Sequence, residues 1–230
     1  MLKRLYVVAC LLLAACEMMS PPPSPTASDL RNTGVASQLI TPTPDAAPQW
    51  IEADVNHVSV GVWQPSGWSM DNDDGLLLAE HAMSIGTGEP LGGAMIHIFV
   101  PEVAHLEIAP SAEGNFAMSV LQQVATNPEH IGSDVAVSEP TPFRWGAHEA
   151  AYYLITSAQG FRSMVLGISL PNDHERLVVI NVTMPTDQSD HMRQMLPRVL
   201  HELTINGVAL NSAALGVLPD PLVFPQYPHT

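Results

Sequence analysis

Lysine is almost missing from this chain. One lysine, Lys3, and seven arginines stand against 23 aspartates and glutamates over 230 residues, for a formal net charge of -15. Nucleic-acid binding needs a basic patch to neutralise phosphates, so this balance excludes nucleic acid as a partner. An anionic lipid surface repels such a domain for the same reason. Cysteine is scarce as well, with Cys10 and Cys16 only. Everything after residue 16 therefore lacks disulfides and thiolate metal sites, and its stability has to come from an apolar core. A hydrophobic content of 46% is enough to build one in a domain of about 150 residues.

Catalytic signatures are also wanting. His201-Glu202 is followed by Leu203, Thr204 and Ile205, so the second histidine of an HExxH zinc helix is absent. No serine stands in a G-x-S-x-G elbow. Gly86-Thr87-Gly88 and Leu91-Gly92-Gly93 do not form a phosphate-binding fingerprint. The sequence thus gives no catalytic residue, no cofactor site and no metal site.

What the chain does contain begins at its N-terminus. Met1-Leu2-Lys3-Arg4 precedes the apolar run Leu5 to Ala15, and a polar, proline-rich stretch follows. A short basic region, an apolar core and small residues before a cut make a secretory signal. The apolar run is roughly half the length of a membrane-spanning helix. Leu13-Ala14-Ala15-Cys16 resembles the lipobox of bacterial lipoproteins: an aliphatic residue, two small residues and cysteine. That resemblance implies a diacylglyceryl thioether on Cys16 and a mature chain starting there, at an extracytoplasmic membrane face. Two acyl chains anchor a protein stably where one does not. Cleavage of residues 1–15 removes two basic residues and no acid, which moves the net charge from -15 to -17.

Residues 16–49 hold Pro21, Pro22, Pro23, Pro25, Pro42, Pro44 and Pro48 among Ser, Thr and Ala. This is the composition of a semi-extended tether. The domain is expected over residues 50–206, with a proline-rich tail at 207–230. His57–Trp63 reads as a first strand, Ser69–Met70 and Leu76–Glu80 as a hairpin around Asp71-Asn72-Asp73-Asp74-Gly75, and Ala94–Val100 as a further strand. Asn115 is placed to cap a helix bearing Phe116, Val120, Leu121 and Val124, which Pro128 stops. After a strand at Val135–Val137, Ala150–Thr156, Ser163–Ser169 and Arg176–Met184 read as an antiparallel meander. Its last strand is apolar on both faces and so central. Met192, Met195, Leu196, Val199, Leu200 and Leu203 form one stripe of a helix over Asp187–Leu203, with Pro197 marking a kink or a break.

Pro65-Ser-Gly67-Trp68-Ser69 leading into a hairpin, Arg144-Trp145-Gly146-Ala147 before the meander, and Met184-Pro-Thr-Asp187 leading to Met195-Leu196-Pro197 and Leu203 are similar to the PsbP-like superfamily. That group is named for an extrinsic subunit of photosystem II. It also takes in a Ran-binding nuclear-import protein and many bacterial lipoproteins. Over residues 51–206 the resemblance implies an α+β fold: an antiparallel sheet of six to seven strands flanked by helices on both faces, an α/β/α sandwich. It carries no catalytic residue, because members are generally binding or assembly factors. The expected function is a membrane-anchored, non-catalytic module for an extracytoplasmic protein or small ligand. The alternative is a metal-dependent or hydrolytic enzyme. It would use histidines such as His57, His81, His97 and His105, or the pairs His148-Glu149 and Asp173-His174-Glu175. Asp71 to Gly75 has the acids of a calcium loop, but Ala82 stands where an EF-hand needs glutamate, and a hairpin turn accounts for the same residues. Trp63, Trp68, Trp145, Tyr152 and Tyr153 are candidates for a ligand groove or for the core.

Overall fold

A computed structural model describes residues 47–80, 92–106, 108, 114–127 and 134–227. Residues 1–15, Cys16 and most of the tether lie outside them, as do His81, Gly86–Gly88 and Pro128. Along the chain come β1 (Gln49–Val55), β2 (Val58–Gln64), β3 (Ser69–Asp71), β4 (Leu76–Ala79) and β5 (Met95–Phe99). Helix α1 (Phe116–Thr126) follows, then β6 (Val135–Val137), β7 (Thr141–Trp145), β8 (His148–Ser157), β9 (Phe161–Leu170) and β10 (Asp173–Pro185). A 3-10 turn at Ser189–His191 leads into α2 (Met192–Val199). The small strands β11 (Thr204–Ile205) and β12 (Val208–Ala209) and a second 3-10 helix, Ser212–Val217, complete it.

The strands make two antiparallel sheets. The larger has the order β3-β4-β5-β10-β9-β8-β6, with β7 also on β8, and the smaller the order β1-β2-β11-β12. Of the described residues, 46% lie in strands and 18% in helices and 3-10 turns. This corrects the expected single sheet of six to seven strands flanked by helices on both faces. The main sheet has eight strands, and one of its faces is covered mostly by a second sheet.

The reasons are local. Gln49–Val55 alternates Trp50, Glu52 and Asp54 with Ile51, Ala53 and Val55, and so forms a strand that the tether-like composition around it conceals. The first strand therefore precedes His57, which sits in the β1–β2 turn with φ 63°. The helix expected over Asp187–Leu203 is confined to Met192–Val199: a 3-10 turn at Ser189–His191 precedes it, and Pro197, which offers no N–H, lies in its last turn.

The meander β8-β9-β10 forms as expected, and β10 is central between β5 and β9. Alternate residues of these strands feed two cores. Met164, Leu166, Ile168, Val178, Ile180 and Val182 face Val58, Val60 and Val62 of β2, together with Met192, Leu196, Val199, Leu200 and Leu203. On the other face, Val165, Leu177 and Val179 join Ala117, Val120, Leu121 and Val124 of α1. Each Val, Leu, Ile or Met side chain among them contributes about 1.5–3 kcal/mol by burial. Helix α1 lies close to the sheet because β9 offers Gly167, where a Cβ would stand 3.0 Å from Leu177 Cδ2 and 3.3 Å from Leu121 Cγ. Beyond Gly207, Leu210, Leu215 and Leu218 are buried in the first core, so this part of the tail packs with the domain. Gly67 and Gly146 take left-handed turn conformations, φ 78° and 64°. No helix among the described residues is long and apolar enough to cross a membrane.

Candidate functional site

The smaller sheet presents its inner face, Val58, Val60 and Val62 with Ile51 and Ala53, to the core. Period-2 alternation then sends Trp50, Glu52 and Asp54 of β1 and Ser59, Gly61 and Trp63 of β2 to the outer face. Trp50 and Trp63 are direct cross-strand partners. Their rings meet edge to face with centroids 5.5 Å apart, a geometry worth about 0.5–1.5 kcal/mol beyond burial. Gly61 makes room for this arrangement. A Cβ there would collide with the benzo edge of Trp50 and with the Thr204 hydroxyl of β11.

The end of α2 completes the face. His201 lies parallel to the Trp63 indole, with centroids 6.4 Å apart and an interplanar angle of 2°. Its Nδ1 pairs with the Arg198 carbonyl. Glu202 adopts a left-handed backbone conformation, φ 57°, which costs a non-glycine residue on the order of 1–2 kcal/mol. In that position Glu202 Oε2 accepts from Trp63 Nε1 at 2.7 Å. With its N–H taken, Trp63 offers a ligand its π-face and not a donor. Glu52 Oε1 accepts from Ser59 Oγ at 2.8 Å beside it.

The face carries the carboxylates Glu52, Asp54 and Glu202, with exposed Arg198 at the α2 end. Between Arg31 and Arg144 the sequence has no Lys or Arg, and β1 and β2 lie within that interval. Among the described hydrogen bonds one arginine reaches the β1–β2 hairpin: Arg176 Nη1 donates to the Asn56 carbonyl at 2.9 Å. Its charge is already paired with Asp173 at 2.7 Å. That arginine and two backbone N–H groups hold the Asp173 carboxyl below its ordinary range, against a desolvation that pushes the other way.

The histidines singled out in the sequence are dispersed. His57 is exposed in the β1–β2 turn, where its N–H donates to Asp54 Oδ1 at 2.9 Å. His97, on β5, pairs through Nε2 with the Asp74 carbonyl at 3.0 Å and packs on Phe99. Burial lowers its pKa, opposed by that carbonyl and the Asp74 charge. His105 is exposed in the loop after β5, and His81 lies outside the described residues. His148 is buried with Nδ1 on the Ser169 carbonyl, 3.0 Å. Its neighbour Glu149 accepts from the Phe116 N–H at the start of α1, 3.2 Å. His174 stands edge-on to Phe116, with centroids 5.3 Å apart. Among the described residues no three His, Cys, Asp or Glu are grouped to hold a metal ion.

Asp71 to Gly75 forms the tip of the β3–β4 hairpin, with the Asp73 N–H on Asp71 Oδ1 at 3.1 Å. Of the five aromatics considered for a groove, Trp68, Trp145, Tyr152 and Tyr153 are core residues, and Trp63 alone faces outward. Trp50, Glu52 and Glu202, which complete its face, carry no signal in the sequence beyond the alternation of β1. Cys16, the expected lipid site, lies outside the described residues. No protein-family model matches this chain, and no curated protein matches it.

Proposed function

We propose that this protein is a lipid-anchored, extracytoplasmic binding or assembly module, and that its contact surface is the outer face of β1 and β2. The observation that carries this reading is the side-by-side pair Trp50 and Trp63, half-buried on an open sheet face and held by Gly61, His201 and Glu202. Aromatic residues at a contact surface supply large apolar area at low entropic cost and dominate binding energy. Location is supported by Leu13-Ala14-Ala15-Cys16 and by the proline-rich segment behind it, which holds the domain away from the lipid.

The test has two arms. Cys16→Ala should release the chain from membranes or leave its signal uncut; normal processing with continued membrane fractionation would refute the anchor. Crosslinking on intact cells, followed by affinity capture of the full chain, should recover a partner that Trp63→Ala loses while keeping its melting temperature. Stoichiometric zinc or calcium in the purified protein, or turnover without any partner, would overturn the binding reading.

A further inference from the structure

The edges of the two sheets are guarded unequally. Exposed strand edges invite pairing with other chains, and proteins blunt them by shortness, proline, lysine or bulges. Three edge strands here are short: β3 and β6 have three residues each, and β12 has two. Strand β7 carries Pro142 at its second position. Strand β1 is different. It is seven residues long, continuous and unbulged along β2, and it contains no proline or lysine. It ends the smaller sheet, so among the described residues its second edge has no partner strand. Its side chains toward the core, Ile51 and Ala53, are only half-buried and would be covered further by a strand laid beside them.

The charge pattern says what such a strand is made of. Glu52 and Asp54 are exposed on β1, with Trp50 at the same outward register, and the nearest arginine on the hairpin, Arg176, is spent on Asp173. A second copy of this chain is a poor occupant, because antiparallel pairing of two β1 strands brings Glu52 and Asp54 against their own counterparts, and like charges directly opposite destabilise a ladder. The chain's own tether is a poor occupant too: its proline clusters, Pro21 to Pro25 and Pro42 to Pro48, lack N–H groups a ladder uses, and the proline-free residues 26–41 between them balance Arg31 with Asp29 and bring no net positive charge to Glu52 and Asp54. An arginine- or lysine-rich segment meets each requirement. Its main chain pairs with β1, its cations face Glu52 and Asp54, and one of them lies over the Trp50 indole.

We propose that β1 receives an extended, basic segment of another protein as an added strand, so that the partner's backbone becomes part of the smaller sheet. This rests on the binding-module reading above and names the partner's chemistry. The acids then act twice, discouraging self-association and selecting the partner.

The probe is a seven-residue peptide alternating arginine and valine, matched to the length of β1 and titrated into the full chain at physiological salt. The expected result is saturable binding with hydrogen-exchange protection at the β1 amides that do not bond to β2. N-methylation of alternate peptide nitrogens, which removes ladder donors and leaves the charge, should weaken binding roughly tenfold or more. The exposed double variant Glu52→Lys, Asp54→Lys should weaken it to a similar extent with the melting temperature retained. Binding that ignores N-methylation, or protection elsewhere on the molecule, would overturn strand addition. So would an equal response to a glutamate–valine peptide, or no binding at all. If the peptide fails while Trp63→Ala still loses the crosslinked partner, only strand addition falls. If both fail, the binding module falls with it.

Discussion

The two faces of the larger sheet are built from alternate residues of the same strands, yet they differ in chemistry. Toward the smaller sheet, the middles of β9 and β10 present Met164, Leu166, Ile168, Val178, Ile180 and Val182 with no polar side chain between them, and Arg162 stands at the β9 end over Phe224. Toward α1 the same strands present Ser163, Ser169, Asn181 and Thr183 among Val165, Leu177 and Val179, and all four polar residues are buried. A sheet satisfies its backbone in its own ladders, so a sheet lying on a sheet asks nothing polar of its neighbour. A helix arrives with unpaired N–H groups at its N-terminus. Here the larger sheet and its borders supply their acceptors. Glu149 takes the Phe116 N–H at 3.2 Å, Ser169 Oγ that of Ala117 at 3.0 Å, and Asn115 Oδ1 that of Met118 at 3.0 Å. Asn115 then ties the cap to the sheet by donating to the Ala150 carbonyl at 2.9 Å. The remaining polar residues settle one another, Ser163 with Thr183 at 2.8 Å and Thr183 with Asn181 at 3.4 Å.

The apolar face should therefore be the less forgiving of charge. Leu200 is fully buried there, just past the end of α2. Leu200→Asp places a carboxylate among Val58, Val60 and Leu196 with no partner, at a cost of about 3–5 kcal/mol or more. Denaturant unfolding should show loss of most of the folded population. A variant with an unchanged midpoint would mean that α2 does not seal this core.

Much of this contrast is legible in the chain, and the remainder is hidden for identifiable reasons. The run Leu177-Val178-Val179-Ile180 announces a strand covered on both sides, and Asn115 before an apolar stripe announces α1 and its cap. The β3–β4 hairpin is readable from Asp71 to Gly75. Strand β1 is hidden because three of its seven residues, Trp50, Glu52 and Asp54, point outward and the residues before it look like tether. Strand β7 is hidden by Pro142 and Arg144, and β11 and β12 are too short to have a period. The candidate site is harder still. Trp63 and Glu202 are 139 residues apart, and the left-handed backbone that brings them together has no local signature.

The polar face makes a smaller and pH-dependent prediction through His97, which shares the side of β5 with Phe99. Burial keeps its folded pKa below the ordinary 6.5, so the unfolded chain binds its proton first as pH falls. The stability that neutral His97 preserves is complete above pH 6.5, and it declines as pH drops from there toward the folded pKa. His97→Gln should flatten that segment of the stability curve relative to the wild type in paired urea titrations between about pH 7 and pH 5. Equal slopes for the two proteins would show that this face tolerates the imidazolium.

The smallest expected effect distinguishes the faces most finely. Tyr153 is fully buried on the α1 side of β8, and its hydroxyl has no hydrogen-bond partner among the described residues. Its neighbours across the ladder on that face, Val165 of β9 and then Asn181 of β10, are one apolar and one already engaged with Thr183. Burial without a partner also pushes the phenol far above its usual pKa of 10.0. An orphaned hydroxyl carries a desolvation cost of about 1–3 kcal/mol, whereas a phenyl ring fills nearly the same volume without it. Tyr153→Phe should therefore be neutral or more stable by up to about 1 kcal/mol, and its unfolding midpoint should fall less steeply than that of the wild type above pH 10, where the unfolded Tyr153 ionises and the folded one does not. A loss of more than about 1 kcal/mol would show that the hydroxyl is engaged. The polar groups of this face would then form one network, instead of serving the helix and leaving Tyr153 aside.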